Sequence, residues 1–420
     1  MGRFFNGTFR SLNIYNYKLW ATGAIVSNVG TWMQRTAQDW VVLTELTNHN
    51  ATAVGIVMSL QFGPQILLLP LTGYAADYMD RRKLLFITQA VMGLLALVLG
   101  LLMLGGHMRL WHMYVLAFLL GCATAFDVPA RQTFVSDLVD EKELSNAVAL
   151  NSTSFHAARM IGPAIAGLLI AAVGSGWVFI INAVSFAAVL MSLIMIRGDE
   201  LYKKNRAVKK RGSMIEGFKY IWNRPDLKIA LIMFFLIGTF GLNFAIYIST
   251  MSVGVFHTGA EKYGFLSSIM AVGSVAGALF VAGKGDPKIG SLYKGAAVFG
   301  LGFAIAAVMP EYWLFAVSLF IIGVAAQVFT TTANSAVQLT TDPFMRGRVI
   351  AIMFAIAMGS KPLGSPIVGW VADRFGPRWA LCVGAASGLL AAAAGLYYLI
   401  KHREHDAAAE TVNTPLKSPQ

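Results

Sequence analysis

The eleven residues GTWMQRTAQDW, Gly30 to Trp40, place an arginine, an aspartate and two glutamines inside a stretch whose flanks read as apolar helix. Arg35 and Asp39 are four apart, so a helix puts them on one face with Gln38 beside them. An acid next to a cation is a place to hold and release a proton or to bind an ionic ligand. Two more cations stand in apolar surroundings, Arg159 and Lys361, separated by 202 residues, and His156 lies on the face of Arg159. Charges inside apolar spans are costly unless they face a cavity or a partner. The expectation is a cavity of positive potential that favours an anionic or zwitterionic molecule, with Asp39 as its protonation site. Two plainer outcomes stand beside it: an Arg35–Asp39 ion pair that holds an outer gate, and a packed, hydrogen-bonded His156.

The elements that must carry these residues follow from composition. The chain has 420 residues, 56% hydrophobic and 13% charged, with a mean hydropathy of +0.62. Soluble domains carry roughly twice that share of charge, so this is an integral membrane protein. A bilayer core needs about 20 apolar residues per helical crossing. Twelve such stretches are predicted, at 18–44, 52–76, 84–105, 111–133, 146–171, 177–196, 229–255, 262–282, 292–309, 312–333, 349–371 and 379–400. The N-terminus has no short apolar core with a small-residue cleavage site, so the first stretch reads as retained. Cys122 and Cys382 fall within predicted spans, which argues against a disulfide framework or a metal cluster.

The net charge of +12 points to the membrane surface and not to nucleic acid. Of the 33 Lys and Arg, 26 fall in segments on the side of the N-terminus, four on the opposite side and three inside spans. The positive-inside rule then makes both termini cytoplasmic and requires an even number of spans. The longest polar segment, 197–228, carries ten of the basic residues and divides the spans six and six. It reads as a cytoplasmic linker between an N-terminal bundle, 1–196, and a C-terminal bundle, 229–400. Residues 401–420 are expected to form a disordered cytoplasmic tail. Within the linker, Phe218, Tyr220, Ile221 and Trp222 could lie on an anionic leaflet.

At an offset of 202 residues the halves match at Gly121/Gly323, Gly162/Gly364, Gly167/Gly369 and Trp177/Trp379, among others. The chain therefore reads as a parallel duplication, an all-α membrane protein of twelve transmembrane helices in two parallel-repeated six-helix bundles. Such an interface at the bilayer midplane is where alternating-access carriers hold substrate.

Two motif classes bear on movement. Between the second and third spans, GYAADYMDRRK sets Gly73 and Asp77 four apart at a helix end, followed by Arg81 and Arg82. Glycine allows a neighbouring helix to approach, and an aspartate can accept hydrogen bonds from the amides at another helix's N-terminus. This pair reads as a gate latch. The fifth span holds Gly162, Pro163 and Gly167, and the eleventh holds Gly364, Pro366 and Gly369; small residues at this spacing allow tight packing. A second Gly-Asp segment, GWVADRFGPR from Gly369 to Arg378, follows an outward-running span and is assigned to the extracellular side.

In span number, central linker, duplication and loop signature the chain resembles the major facilitator superfamily. The resemblance implies that Asp77 docks near Gly347 to Ala351 at the start of the eleventh span, with Arg131 as a charge partner. Asp80 stands where the family usually has glycine; aspartate tolerates the left-handed backbone that glycine would supply. ARMIGPAIAG, Ala158 to Gly167, resembles the glycine-proline motif of the superfamily's exporters. Together with GTWMQRTAQDW, DVPARQ and ELSNAVAL it is similar to the bacterial branch of enterobactin exporters and macrolide efflux proteins. Ala117 occupies the site of the superfamily's helix-four arginine, so coupling schemes built on that arginine do not carry over.

The function expected is secondary active export of a small organic molecule, drug-like or siderophore-like, by alternating access and driven by protons. The setting is the bacterial inner membrane, and the protein is a monomer in contact with lipid. A flippase for lysophospholipid or another amphiphile is the alternative within transport, and a non-transporting sensor or scaffold the alternative outside it. The chain has no GxxxxGK[ST], HExxH or GxSxG, so neither a nucleotide site, an enzyme nor a cofactor is expected. Gln61, Gln65, Asn243, Tyr247, Gln327 and Asn334, with Trp32 and Phe62, are candidates to line the cavity.

Overall fold

A computed structural model describes residues 9–69, 71–72, 75, 79–202, 214–283 and 291–412, with 214 and 402–412 described by their backbone alone. Gly73 and Asp77 of the proposed latch lie outside the described residues.

Among the described residues the structure is helical and has no strand. The helices are α1 Tyr15–Thr44, α2 Ala51–Leu67, α3 Arg81–Leu104, α4 Leu110–Leu138, α5 Glu141–Val173, α6 Ser175–Met195, α7 Met214–Trp222, α8 Pro225–Leu236, α9 Phe244–Gly254, α10 Ala260–Ala282, α11 Leu292–Val308, α12 Tyr312–Thr340, α13 Arg346–Phe375 and α14 Pro377–Val412. Counting α8 to α9 as one run, nine of the described helices are long and apolar enough to cross a bilayer, and α2 and α11 are apolar but shorter. α1, at 30 residues, is about 45 Å long, but the polar stretch from Gln34 to Asp39 interrupts its apolar run.

Local chemistry sets where these helices begin and end. Asn50 caps α2 by accepting from the Ala53 amide at 2.9 Å, and Asp140 caps α5 through the Glu143 amide at 3.0 Å. Asp80 is an N-cap too, accepting from the Lys83 amide at 3.1 Å. Its φ of −65° is extended and not left-handed, so the expectation for that position is corrected: aspartate starts a helix here and does not mimic glycine. Gly174 and Gly376, again 202 apart, end α5 and α13 with φ of +92° and +100°, a conformation that glycine adopts without a Cβ penalty. α14 continues past the expected boundary at residue 400 to Val412.

α8 and α9 are joined by a π-turn, Ile237–Gly241, in which the Leu242 amide donates to the Ile237 carbonyl at 3.0 Å. The extra residue frees a carbonyl, and the Asn243 side-chain amide donates to that of Thr239 at 2.7 Å. Ser365 Oγ donates to Asn243 Oδ1 at 2.7 Å, binding the turn to α13.

In packing, α1 lies against α5 and α6, α3 against α4 and α6, and α2 against α4. On the other side α10 packs on α12, α11 on α12 and α14, and the π-turn on α13. The two sets meet mainly where α2 lies along α13 and α5 along α10. Equivalent glycines serve equivalent crossings: Gly121 abuts the Leu60 and Gln61 carbonyls, and Gly323 abuts that of Met270.

Candidate functional site

The central site grows out of the middle of α1. Trp32, Arg35, Thr36 and Asp39 face two adjoining voids. The smaller, about 150 Å³, is lined also by Gln61 and Phe62 of α2, Arg159 and Pro163 of α5, Tyr263 of α10 and Lys361 of α13. The larger, about 780 Å³, shares Trp32, Arg35, Phe62, Arg159 and Lys361. It extends past His156, Asn151 and Ser152 of α5, Asn28 of α1, Gln132 of α4 and Gln327 of α12. Those residues lie toward the start of α1, the end of α4 and the start of α5, so the cavity widens toward that end of the molecule. The lining comes from both packed sets, and the three spaced-out cations converge as the sequence suggested.

Aromatic rings seat the cations. The Arg35 guanidinium lies 4.9 Å from the Trp32 ring centroid and 5.8 Å from that of Phe62. Arg159 is 5.7 Å from Trp32, and the Lys361 ammonium is 4.5 Å from Phe62. Such contacts are worth about 0.5–2 kcal/mol each. No ion pair joins Arg35 to Asp39 among the described residues; Asp39 instead faces the Tyr263 hydroxyl, and Tyr263 stacks on Trp40 at 5.8 Å.

The other expected lining residues divide. Gln61, Gln65 and Gln327 face the voids. Asn243 is consumed by the π-turn, the buried Tyr247 hydroxyl donates to the Phe240 carbonyl, and Asn334 is exposed and donates to the Thr330 carbonyl at 2.9 Å. Gln38 is buried away from the voids, its Oε1 without a partner among the described residues. Tyr263 went unnoticed in the sequence; it sits at the first turn of its helix, and nothing local connects it to an acid on α1.

Arg81, Arg82 and Arg131 are committed within the first packed set. Arg81 pairs with Asp137 at 2.6 Å. Arg82 donates to the Leu193 and Ile194 carbonyls at 2.8 and 3.1 Å, the C-terminal end of α6 where a cation is favoured. Arg131 bridges Asp127 and Asn28 at 3.2 Å each. The buried Asp127 also accepts from Thr88 at 2.8 Å and Gln89 at 2.6 Å.

Opposite the wide end, the two sets are sealed. Gly167 lies against the Ala260 carbonyl, Gly264 against that of Pro163, Gly369 against that of Ala51, and Gly55 against Ser365 and Pro366. Gly162 and Gly364 serve packing within their own sets, on Trp32 and on the Thr239 carbonyl. Asp373 of α13 accepts from the Ala51 amide at 2.7 Å and the Thr52 amide at 2.8 Å, the first turn of α2. This is the same kind of carboxylate-to-helix-start contact expected of Asp77, which lies outside the described residues, and it falls in the segment assigned from sequence to the extracellular side.

The whole length from residue 7 to 420 matches the family model described as transmembrane secretion effector, of the major facilitator superfamily. The chain belongs to this family. Among related members, the staphyloferrin A transporter of Staphylococcus aureus is 27% identical over 356 residues, 83% of this chain and 87% of that one. The multidrug efflux pump Tap of Mycolicibacterium fortuitum is 24% identical over 370 residues, 84% and 88% of the two chains. Macrolide efflux protein A of Streptococcus pyogenes is 22% identical over 381 residues, 88% and 92%. In fold, the chain is similar to the nucleoside transporter NupG, with a TM-score of 0.71 at 12% identity over 92% of this chain and 99% of that one. It is similar also to a POT family transporter, with a TM-score of 0.73 at 12% identity over 92% and 96%. This family member is a multi-pass membrane transporter and not an enzyme.

Proposed function

We propose that the protein exports a small organic molecule, siderophore-like or drug-like and anionic, across a bacterial plasma membrane by alternating access. Twelve spans form two six-helix bundles, 1–196 and 229–400, with both termini in the cytoplasm. The single observation that carries this reading is a void of about 780 Å³ walled by both packed sets, which widens toward one end while glycine seams and Asp373 seal the other. With the N-terminus cytoplasmic, this is an inward-facing carrier. Its volume suits a drug-sized ligand, and the names of the efflux relatives support the outward direction.

Protons drive the cycle through Asp39, the acid that faces the smaller void beside the cations. The test is uptake into inverted vesicles under an imposed pH gradient, with acidic siderophores, macrolides and lysolipids as the panel. Wild type accumulates the acidic compounds; Asp39→Asn still binds them but no longer responds to the gradient. Full gradient-driven uptake by Asp39→Asn would overturn the proton assignment, and preferential movement of lysolipids would replace export of a soluble molecule with lipid flipping.

A further inference from the structure

The seating of the three cations narrows the substrate. An aromatic face holds a cation without cancelling its charge, and the guanidinium N–H groups, which lie in the guanidinium plane, remain free for another acceptor. A carboxylate partner would both neutralise the cation and occupy its donors. Among the described residues, Arg35, Arg159 and Lys361 make no side-chain hydrogen bond and no ion pair; their contacts are the rings of Trp32 and Phe62. Arg35 Nε is enclosed and has no acceptor. A buried donor left unmade costs about 1–3 kcal/mol, more when charged, and no described group at the site satisfies it.

The charge balance is equally lopsided. Three cations line the smaller void against one acid, Asp39. Around the larger void the further charged group is Arg131, already engaged by Asp127, and the other polar groups are amides, hydroxyls and His156, set among apolar side chains. Arg35 shares the Trp32 ring with Arg159 and the Phe62 ring with Lys361, and all three cations line both voids, so one ligand spanning the voids can meet them all.

We propose that the substrate carries two anionic oxygen groups, carboxylates or phosphates, on a neutral body. One is taken by Arg35 and Arg159 over Trp32, and the other by Lys361 beside Phe62. Paired guanidinium planes suit the flat, bidentate anion, while the ammonium acts as a point charge for the second. Two negative charges balance the excess, and the neutral body occupies the wider void. This inference rests on the export reading and names its substrate class.

The experiment is calorimetric titration of the purified full-length protein with propane-1,2,3-tricarboxylate and its mono-, di- and trimethyl esters. A glycerol monophosphate and bisphosphate pair forms a parallel arm that separates phosphate from carboxylate. The second anionic group is expected to tighten binding at least tenfold in one arm, and the third carboxylate by less than threefold. Lys361→Gln and Arg159→Gln bring the dicarboxylate to the affinity of the monocarboxylate, with unfolding temperatures near wild type. Equal binding of the trimethyl ester, a second anionic group worth less than tenfold in both arms, or no binding in either arm would overturn the proposal. A charge ladder without transport in vesicles would sink the export reading alone; transport of neutral compounds without the ladder would sink this inference alone.

Discussion

The carboxylate of Asp373, near the end of α13, accepts hydrogen bonds from the backbone amide of Thr52 at 2.8 Å and from its hydroxyl at 2.5 Å, in the first turn of α2. A negative charge thus sits at the positive end of a helix dipole that belongs to the other side of the seam. In the proposed alternating-access cycle the contact breaks when this end opens.

Asp373→Asn keeps an acceptor but loses the charge and points a donor toward amides. The site is exposed, so the loss is about 1 kcal/mol, roughly a fivefold shift of the conformer ratio away from the sealed state. Double electron–electron resonance between labels flanking the seam should show a larger population at long distance. An unchanged distance distribution would remove the latch.

The glycine seam makes a sharper prediction. A Cβ at Gly369 meets the Ala51 carbonyl, whereas one at Gly63 meets nothing within 4 Å. Gly369→Val should therefore abolish vesicle uptake while the protein still inserts and elutes as wild type, and Gly63→Ala should transport normally. Uptake by Gly369→Val above half of wild type would show that the crossing does not need backbone contact.

Much of this was legible in one sequence. Arg35 and Asp39 share a face because helical spacing requires it, and the pair Gly174/Gly376 reproduces the 202-residue repeat in backbone angles as well as in residue type. The rest depended on contacts that a sequence does not display. Asp373 read as a loop residue because its partners precede it by more than 320 positions. Asn243 and Tyr247 were misplaced because the π-turn inserts one residue and rotates the following helix, turning both side chains into the packing. Asp80 was read by analogy with glycine when its ordinary helix-capping role accounts for it.

Asp127 separates structure from transport. It is 4% exposed and accepts from Thr88, Gln89 and Arg131. Asp127→Ala leaves an arginine and two donors without their acceptor, at a cost of about 3 kcal/mol. Asp127→Asn retains an acceptor oxygen and should cost less. Thermal unfolding in detergent should rank wild type above Asp127→Asn above Asp127→Ala; no loss in the alanine variant would refute a structural role.

Membrane voltage should also drive the cycle. Moving one charge through 100 mV is worth about 2.3 kcal/mol, and a dianion leaving an inside-negative cell gains about twice that. In inverted vesicles, a lumen-positive potential set with potassium and valinomycin should raise uptake of the dianion at zero pH gradient. Rates independent of voltage would show that no net charge crosses.

The sealed end has one more consequence. Where Gly55, Gly167, Gly264 and Gly369 meet carbonyls and Cα atoms, the main chain of one set lies directly on the main chain of the other. In the proposed cycle such backbone contacts part with less side-chain rearrangement than an interdigitated seam, so rigid-body rocking and the entry of water set the speed of opening.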